Sequence, residues 1–234
     1  MHLLTQAHQN AKTAKNSKHD KYLSAILHLA PHTLSGYNVC PAASKGCAMA
    51  CLNTAGRGRF NNVQEARIRK TKLLFQDTYW FYANLIKDIN SLVTKAIKLN
   101  KIPVVRLNGT SDIDWENQPA LNGMNLFDLF PMVQFYDYSK RVNRCIVSKL
   151  PTNYHLTFSL SESNLYIAQR LIATQNINVA VVFRKEIPDT WLGRDVINGD
   201  SHDLRFLEGF QGKWIGLKAK GKAKKDTSGF VRDI

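Results

Sequence analysis

The sequence has few acidic residues, little cysteine and no long apolar run, and each shortage excludes a class of protein. No apolar run approaches the roughly 20 residues that a membrane-spanning helix needs. Residues 22–30 are a short mixed segment followed by proline, which is not the pattern of a signal peptide. An oxidising compartment is therefore not implied, and we expect the four cysteines to be reduced, with no membrane as partner.

What the sequence has in excess is positive charge. The 32 lysines and arginines outnumber 18 acids, which gives a formal net charge of +14 and an isoelectric point near 9.7. Such an excess suggests a nucleic acid, a nucleotide or another polyanion as partner, although a charge run is also common on a merely solvated face. A length of 234 residues with 44% hydrophobic composition indicates a single domain over residues 1–234.

Three of the cysteines lie close together, at Cys40, Cys47 and Cys51. Cys47 and Cys51 are four residues apart, so a helix would place them on one face, and the small-residue loop after Cys40 is flexible enough to bring in a third thiolate. Structural zinc normally takes four protein ligands, whereas a [4Fe–4S] cluster can be held by three cysteines with one iron left open. The segment therefore predicts an iron–sulfur cluster.

The remaining cysteine, Cys145, is flanked by apolar residues. Such a residue is more commonly a buried free thiol than a metal ligand, so we expect Cys145 to be structural, with a role as fourth ligand left open. The alternative to a cluster at the other three is that they are ordinary reduced cysteines that are merely close in sequence.

The rest of the chain alternates helical stripes with short apolar runs. Residues 63–75 and 79–99 show helical spacing, and residues 162–173 predict a further helix between two apolar runs. Six apolar runs from Ile102 onward each end in polar residues, which is typical of parallel strands meeting at one pocket. We expect an α/β fold, a partial or distorted TIM-type β/α barrel with an N-terminal helical, cysteine-bearing segment. Its expected parts are an arm (1–35), a cysteine loop (36–62), helices (63–100), a β/α core (101–218) and a basic tail (219–234).

The polar strand ends supply the candidate site residues. Acids in these positions are candidates for moving protons, amides and hydroxyls for orienting substrate, and cations for holding phosphate or another anion. The catalytic candidates are Asp112, Asp137, Glu162 and Asp200. The substrate-orienting candidates are Asn108 and Ser159. The anion-binding candidates are Arg57, Arg59, Lys218, Lys220 and Lys222.

Several blocks of sequence carry a family resemblance, at residues 34–41, 51–59, 106–112, 135–138, 154–159 and 216–223. In these blocks the chain resembles the phage-encoded family named after gene product 88, and the similarity spans nearly the whole chain. The resemblance implies a phage or prophage origin and residence in the cytoplasm of a bacterial host. It does not imply a reaction.

A looser similarity is to radical S-adenosylmethionine enzymes, which combine a partial β/α barrel with a three-cysteine cluster. The cysteine spacing departs from that superfamily, with six and three intervening residues here against the usual three and two. This resemblance implies S-adenosylmethionine as an additional cofactor.

Two functions from different classes follow. The first is an enzyme that uses the open cluster iron on a nucleic-acid or nucleotide-type substrate at the top of the barrel. The second is a nucleic-acid-binding protein in which an iron–sulfur or zinc site only staples the cysteine loop.

Overall fold

The apolar runs of the sequence form strands of one mixed sheet. The computed structural model describes residues 1–6 and 21–234, which contain ten strands and five α-helices. The strands are β1 (Leu4–Gln6), β2 (Tyr22–Leu27), β3 (Ile102–Arg106), β4 (Gln134–Ser139), β5 (Tyr154–Ser159), β6 (Val179–Phe183), β7 (Thr190–Trp191), β8 (Arg194–Asn198), β9 (Trp214–Lys218) and β10 (Val231–Arg232). The α-helices are α1 (Lys45–Met49), α2 (Asn61–Gln76), α3 (Thr78–Lys98), α4 (Leu126–Leu129) and α5 (Leu165–Gln175).

The sheet is largely parallel and has the order β1-β2-β3-β4-β5-β6-β9-β8-β7. Only the pairs β1–β2 and β7–β8 are antiparallel. From β2 to β6 the parallel strands lie in chain order, and crossovers of one hand between such strands run over the same face of the sheet. In the part of the chain that is described, β1 and β7 are the two edges. The sheet is therefore open, and these strands do not close into a TIM barrel.

The two faces of the sheet are different. One face forms the main core, in which α3 packs the apolar stripe Phe81, Leu85 and Ile89 against strand residues such as Val105 and Leu156. Because side chains alternate along a strand, the neighbouring positions point to the other face. That face carries Arg106, Tyr136, His155, Thr157 and Val182.

Local signals explain where the long helices begin and end. Asp77 follows the last residue of α2 and caps α3, because its carboxylate accepts a hydrogen bond from the Trp80 N–H group at 3.1 Å. Helix α5 ends at Asn176, which adopts the left-handed conformation with φ of 52°. The predicted parallel β–α–β unit around α5 is confirmed, with the helix starting at Leu165 rather than at residue 162.

Both ends of the chain differ from the sequence-based expectation. The expected arm at residues 1–35 contains β1 and β2, although residues 7–20 lie outside the described part. The expected basic tail at 219–234 packs onto the sheet through β10 and through the buried side chains of Ala219, Ala223 and Phe230. Strand β10 pairs with Val182 and Phe183 of β6. It does so on the side of β6 that faces β5, beyond the point where the pairing of β5 with β6 ends. The C-terminal segment therefore fills a gap in the sheet.

Among the helices of the described residues, none combines the length and the hydropathy that crossing a bilayer requires.

Candidate functional site

A cavity of about 430 Å³ opens at the carboxyl ends of the parallel strands. Its wall is made by residues at or just after the ends of β3, β4, β5, β8 and β9, together with the cysteine segment and the C-terminal segment. The polar and cysteine residues of the wall are Cys40, Cys47, Cys51, Arg106, Asn108, Thr110, Ser111, Asp112, Tyr138, Ser139, Lys140, Ser159, Asp200, His202, Asp203, Lys218 and Lys220.

Helix α1 positions the cysteine segment at this cavity. Ser44 is its N-cap, and the Ser44 hydroxyl group accepts a hydrogen bond from the Cys47 N–H group at 3.2 Å. The Glu162 carboxylate accepts hydrogen bonds from the Ser44 hydroxyl group at 2.7 Å and from the Gly46 N–H group at 2.8 Å. Gly46 is packed so tightly that an added Cβ atom would lie 2.9 Å from the Cβ atom of Phe230. The short helix is thus held from three sides.

All three thiols of this segment lie on the cavity wall and are partly buried. Burial, with smaller contributions from the nearby Cys51 and Cys47 thiols, raises the pKa of Cys40 to about 12, although a hydrogen bond from the His32 N–H group opposes the rise. Burial also raises the pKa of Cys51. The nearby Cys47 thiol raises this pKa as well, whereas the Arg67 charge lowers it. Cys40 and Cys51 are thus thiols whose ionisation is disfavoured chiefly by burial.

Three thiols are a donor set that an iron–sulfur cluster accepts, and the cluster stays a prediction at this site. Sulfur ligands of one tetrahedral zinc ion lie about 3.8 Å apart, given a Zn–S distance of about 2.3 Å. Over residues 1–6 and 21–234, no three His, Cys, Asp or Glu side chains are grouped closely enough to hold a metal ion. Cys145 is buried elsewhere and donates to the Arg141 carbonyl oxygen at 3.5 Å, as expected for a structural thiol.

Asp112 lies on the cavity wall with its carboxylate fully engaged. It accepts hydrogen bonds from the Ser139 hydroxyl group at 2.7 Å, from Arg144 at 2.8 Å and from the Lys140 N–H group at 2.9 Å. These contacts fix the loop after β4 against the loop after β3. The arrangement favours a positioning role for Asp112.

Asn108 on the cavity wall and Asp137 behind it form a buried network. Asp137 is 0% exposed and accepts hydrogen bonds from the Asn108 N–H group at 2.6 Å and the Tyr154 hydroxyl group at 3.2 Å. Burial raises the pKa of Asp137 to about 7, partly offset by the nearby Arg106 charge. The Asn108 side-chain oxygen accepts from Ser111, Ile113 and Trp115 and so shapes the loop after β3.

Comparison with protein families decides what the chain is related to. The model of the family described as Gene product 88 matches residues 2–234. The chain belongs to the gene product 88 family. This confirms the family expected from the sequence blocks. Comparison with curated proteins and with solved structures finds no match. The similarity to radical S-adenosylmethionine enzymes gains no support from these comparisons and stays a hypothesis.

The predicted anion-binding residues of this gene product 88 family member fall into two groups. Lys218 and Lys220 line the cavity, and the Lys220 ammonium group donates to the Asp200 carboxylate at 2.6 Å. Arg57, Arg59 and Lys222 are exposed and do not line it. Of the predicted catalytic acids, Asp112 and Asp200 lie on the wall, whereas Asp137 and Glu162 do not.

Sequence reasoning missed one cation inside the cavity. The Lys140 ammonium group donates to the Ser159 hydroxyl group at 2.7 Å and lies 5.4 Å from the centre of the Phe230 ring. It is also close enough to Cys51 to lower the pKa of that thiol against the larger effect of burial. Lys140 directly follows β4, so its position after a strand could have identified it, as it did Asp137 in the same run.

A second missed group is a buried ion pair at the base of the cavity. Arg106, 5% exposed, donates to the Asp203 carboxylate at 2.9 Å, and the Tyr136 hydroxyl group donates to the same oxygen at 2.9 Å. The guanidinium also lies 4.6 Å from the centre of the Tyr138 ring. Asp203 is remote in sequence from Arg106, so no local pattern connects the two.

Proposed function

We propose that the protein is an iron–sulfur enzyme in which Cys40, Cys47 and Cys51 hold a [4Fe–4S] cluster and the adjoining cavity binds a nucleotide-type substrate. One observation carries the proposal, namely that three partly buried thiols share the wall of a single cavity with three lysine side chains. A cluster held by three cysteines keeps one iron open to a small molecule. We interpret the sheet as a partial TIM-type barrel whose active face is this end of the strands.

The side chains of the cavity suit a substrate with one anionic and one apolar part. Lys140, Lys218 and Lys220 supply positive charge on the wall. Between them lie apolar groups, among which are Ala180, Val182, Leu217 and Phe230. Pockets for small molecules are typically apolar with a few well-placed polar groups, and a volume of about 430 Å³ lies within their usual range of about 300–1,000 Å³. A phosphate on an aromatic base matches both parts.

The support that the cysteine segment already receives from the rest of the protein weighs against a purely structural metal. A stapling metal matters most where a loop has no other support. Here α1 is already held by Glu162. Asn53, two residues after Cys51, accepts a hydrogen bond from the buried Arg67 guanidinium. Thiols that are open to a cavity are also poorly placed for a closed four-ligand site.

Anaerobic purification with iron and sulfide analysis tests the proposal. Cys40→Ala, Cys47→Ala and Cys51→Ala should each lose iron and sulfide, whereas the matched control Cys145→Ala should retain them. Zinc in place of iron, or no metal in the anaerobic wild-type protein, would overturn the cluster. Titration of the reduced protein with S-adenosylmethionine then tests the additional cofactor, and cell fractionation tests residence in the bacterial host cytoplasm.

A further inference from the structure

Two basic segments far apart in the sequence come near each other beside the cavity, because the second contacts the residues that directly precede the first. They are the 3-10 helices Gly56–Arg59 and Gly221–Lys225. The Lys222 N–H group donates to the Thr54 hydroxyl oxygen at 3.4 Å, across 168 positions of sequence. Gly221 has φ of 58°, and an added Cβ atom would lie 3.0 Å from both the Thr54 carbonyl oxygen and the Ala55 side chain. Only glycine permits this approach of the two backbones.

We call the exposed cations of these segments the basic rim, which consists of Arg57, Arg59, Lys222, Lys224 and Lys225. Neither segment contains an acid, and the next acid along the chain, Asp226, is buried and accepts hydrogen bonds from Ser228 and Val231. A cluster of one sign on an exposed surface attracts a polyanion more than a single charge. The rim therefore gathers exposed positive charge from two segments that the fold brings near each other.

The rim is continuous with the cavity. Cys51 and Leu52, just before the first segment, lie on the cavity wall, and so do Lys220, just before the second segment, and Ala223 within it. The rim side chains themselves lie outside it. A free mononucleotide bound in the cavity would meet Lys140, Lys218 and Lys220, and would leave the rim without a ligand.

We infer that the substrate is a single-stranded nucleic acid, of which one nucleotide enters the cavity while its neighbours' phosphates lie on the basic rim. This inference rests on the proposed function, because it takes the cavity as a nucleotide-type site. A stacked duplex cannot present a base to a concave site without extruding it, whereas a single strand can. Runs of phosphates along a positive groove are the usual means by which proteins bind single strands.

Binding of a labelled single strand of about 12 nucleotides to the anaerobically purified protein tests the inference. The variant Lys222→Ala/Lys224→Ala/Lys225→Ala should bind this strand at least about ten-fold more weakly, with a salt slope smaller by about 2, since each lost contact contributes about 0.7. Its affinity for AMP should not change. The matched control is Lys87→Ala/Lys95→Ala/Lys98→Ala, which removes the same charge from exposed positions of α3 and should behave as wild type.

Other outcomes overturn the inference in different ways. Equal affinity of the wild-type protein for AMP and for the strand, or an unaffected triple variant, would show that the rim binds nothing. Tighter binding of duplex, or equal binding of a polyphosphate chain of matched charge, would replace a single-stranded nucleic acid by another polyanion. Failure of the proposed function can be told apart from failure of this inference, because the two have different measurements. Absence of iron and sulfide in the wild-type protein overturns the cluster, whereas the binding of the strand is measured separately.

Discussion

The Glu162 carboxylate accepts a hydrogen bond from the Ser44 hydroxyl group at 2.7 Å across 118 positions of sequence. A second hydrogen bond, from the Gly46 N–H group, makes Glu162 the support of the helix that carries Cys47. Glu162 was a candidate catalytic acid from its place after a strand. In the structure Glu162 connects the cysteine segment to the loop between β5 and α5, and its catalytic role stays a prediction.

Glu162→Ala should weaken this connection. The free energy of unfolding should fall by about 1 kcal/mol, because two hydrogen bonds to a partly exposed carboxylate are lost, and iron content should fall with it. Urea unfolding and iron analysis measure the two effects. The matched control is Glu186→Ala, at an exposed position. Unchanged stability and full iron would show that the contact does not support the cysteine helix.

Gly46→Ala should disturb the same helix by a different route. The new methyl group would collide with Ser228 and with Phe230, which are parts of the C-terminal segment. Overpacking of this kind costs about 1–3 kcal/mol. Thermal unfolding of the variant, compared with Lys45→Ala at the exposed preceding position, measures the effect. A variant as stable as the control would mean that residues 228–230 move aside at little cost.

Asp203→Ala should be strongly destabilising, because it leaves the buried Arg106 charge without its carboxylate partner. Breaking one side of a buried pair costs about 3–5 kcal/mol. The exposed pair Arg184–Asp233 provides the control, and Asp233→Ala should have a much smaller effect. Chemical denaturation of both variants gives the comparison. Equal losses would contradict the assignment of Arg106 to a buried, low-dielectric site.

Because Asp137 is buried, we expect the free energy of unfolding to depend on pH in a specific way. Burial raises its pKa from an ordinary value of 3.8 to about 7 in the folded protein. The folded state therefore binds this proton more tightly than the unfolded state, so its contribution to stability is full below about pH 4 and is lost as pH rises through 7. Asp137→Asn removes the titration.

The difference in unfolding free energy between wild type and Asp137→Asn should thus decrease as pH rises from about 4 to about 7, by about 1.4 kcal/mol for each pH unit over which the folded state alone holds the proton. Urea unfolding at a series of pH values measures this difference, and Asp128→Asn at an exposed position is the control. A difference that is flat with pH would show that Asp137 ionises normally in the fold, and one that grows with pH would show that folding lowers its pKa.

Local pattern was sufficient for much of the fold. The six predicted apolar runs correspond to β3, β4, β5, β6, β8 and β9. All of these except the partly exposed β8 are largely buried, and buried parallel strands are apolar stretches bounded by polar residues. Strand β2 was missed because Tyr22–Leu27 is followed closely by Pro31 and so resembles a short irregular segment. Strand β10 has only two residues, too few for any pattern.

The site shows where local pattern stops being informative. Position after a strand correctly brought Asp112, Ser159 and Asp200 to one cavity wall, since parallel strands share one end. It could not show that Asp112 is already engaged by Arg144, or that Glu162 supports a helix, because those partners are distant in sequence. Similarly, only the folded chain brings Arg57 and Lys222 to one rim.

The pairing of β10 with β6 has a consequence for the order of events during synthesis on the ribosome. The cysteines are translated early, whereas Ala223 and Phe230, which close one side of the cavity, are translated about 170 residues later. A nascent chain that has reached β9 holds the thiols and seven strands of the parallel sheet but lacks this side. The thiols can thus be reached from this side until residues 223–230 have been synthesised.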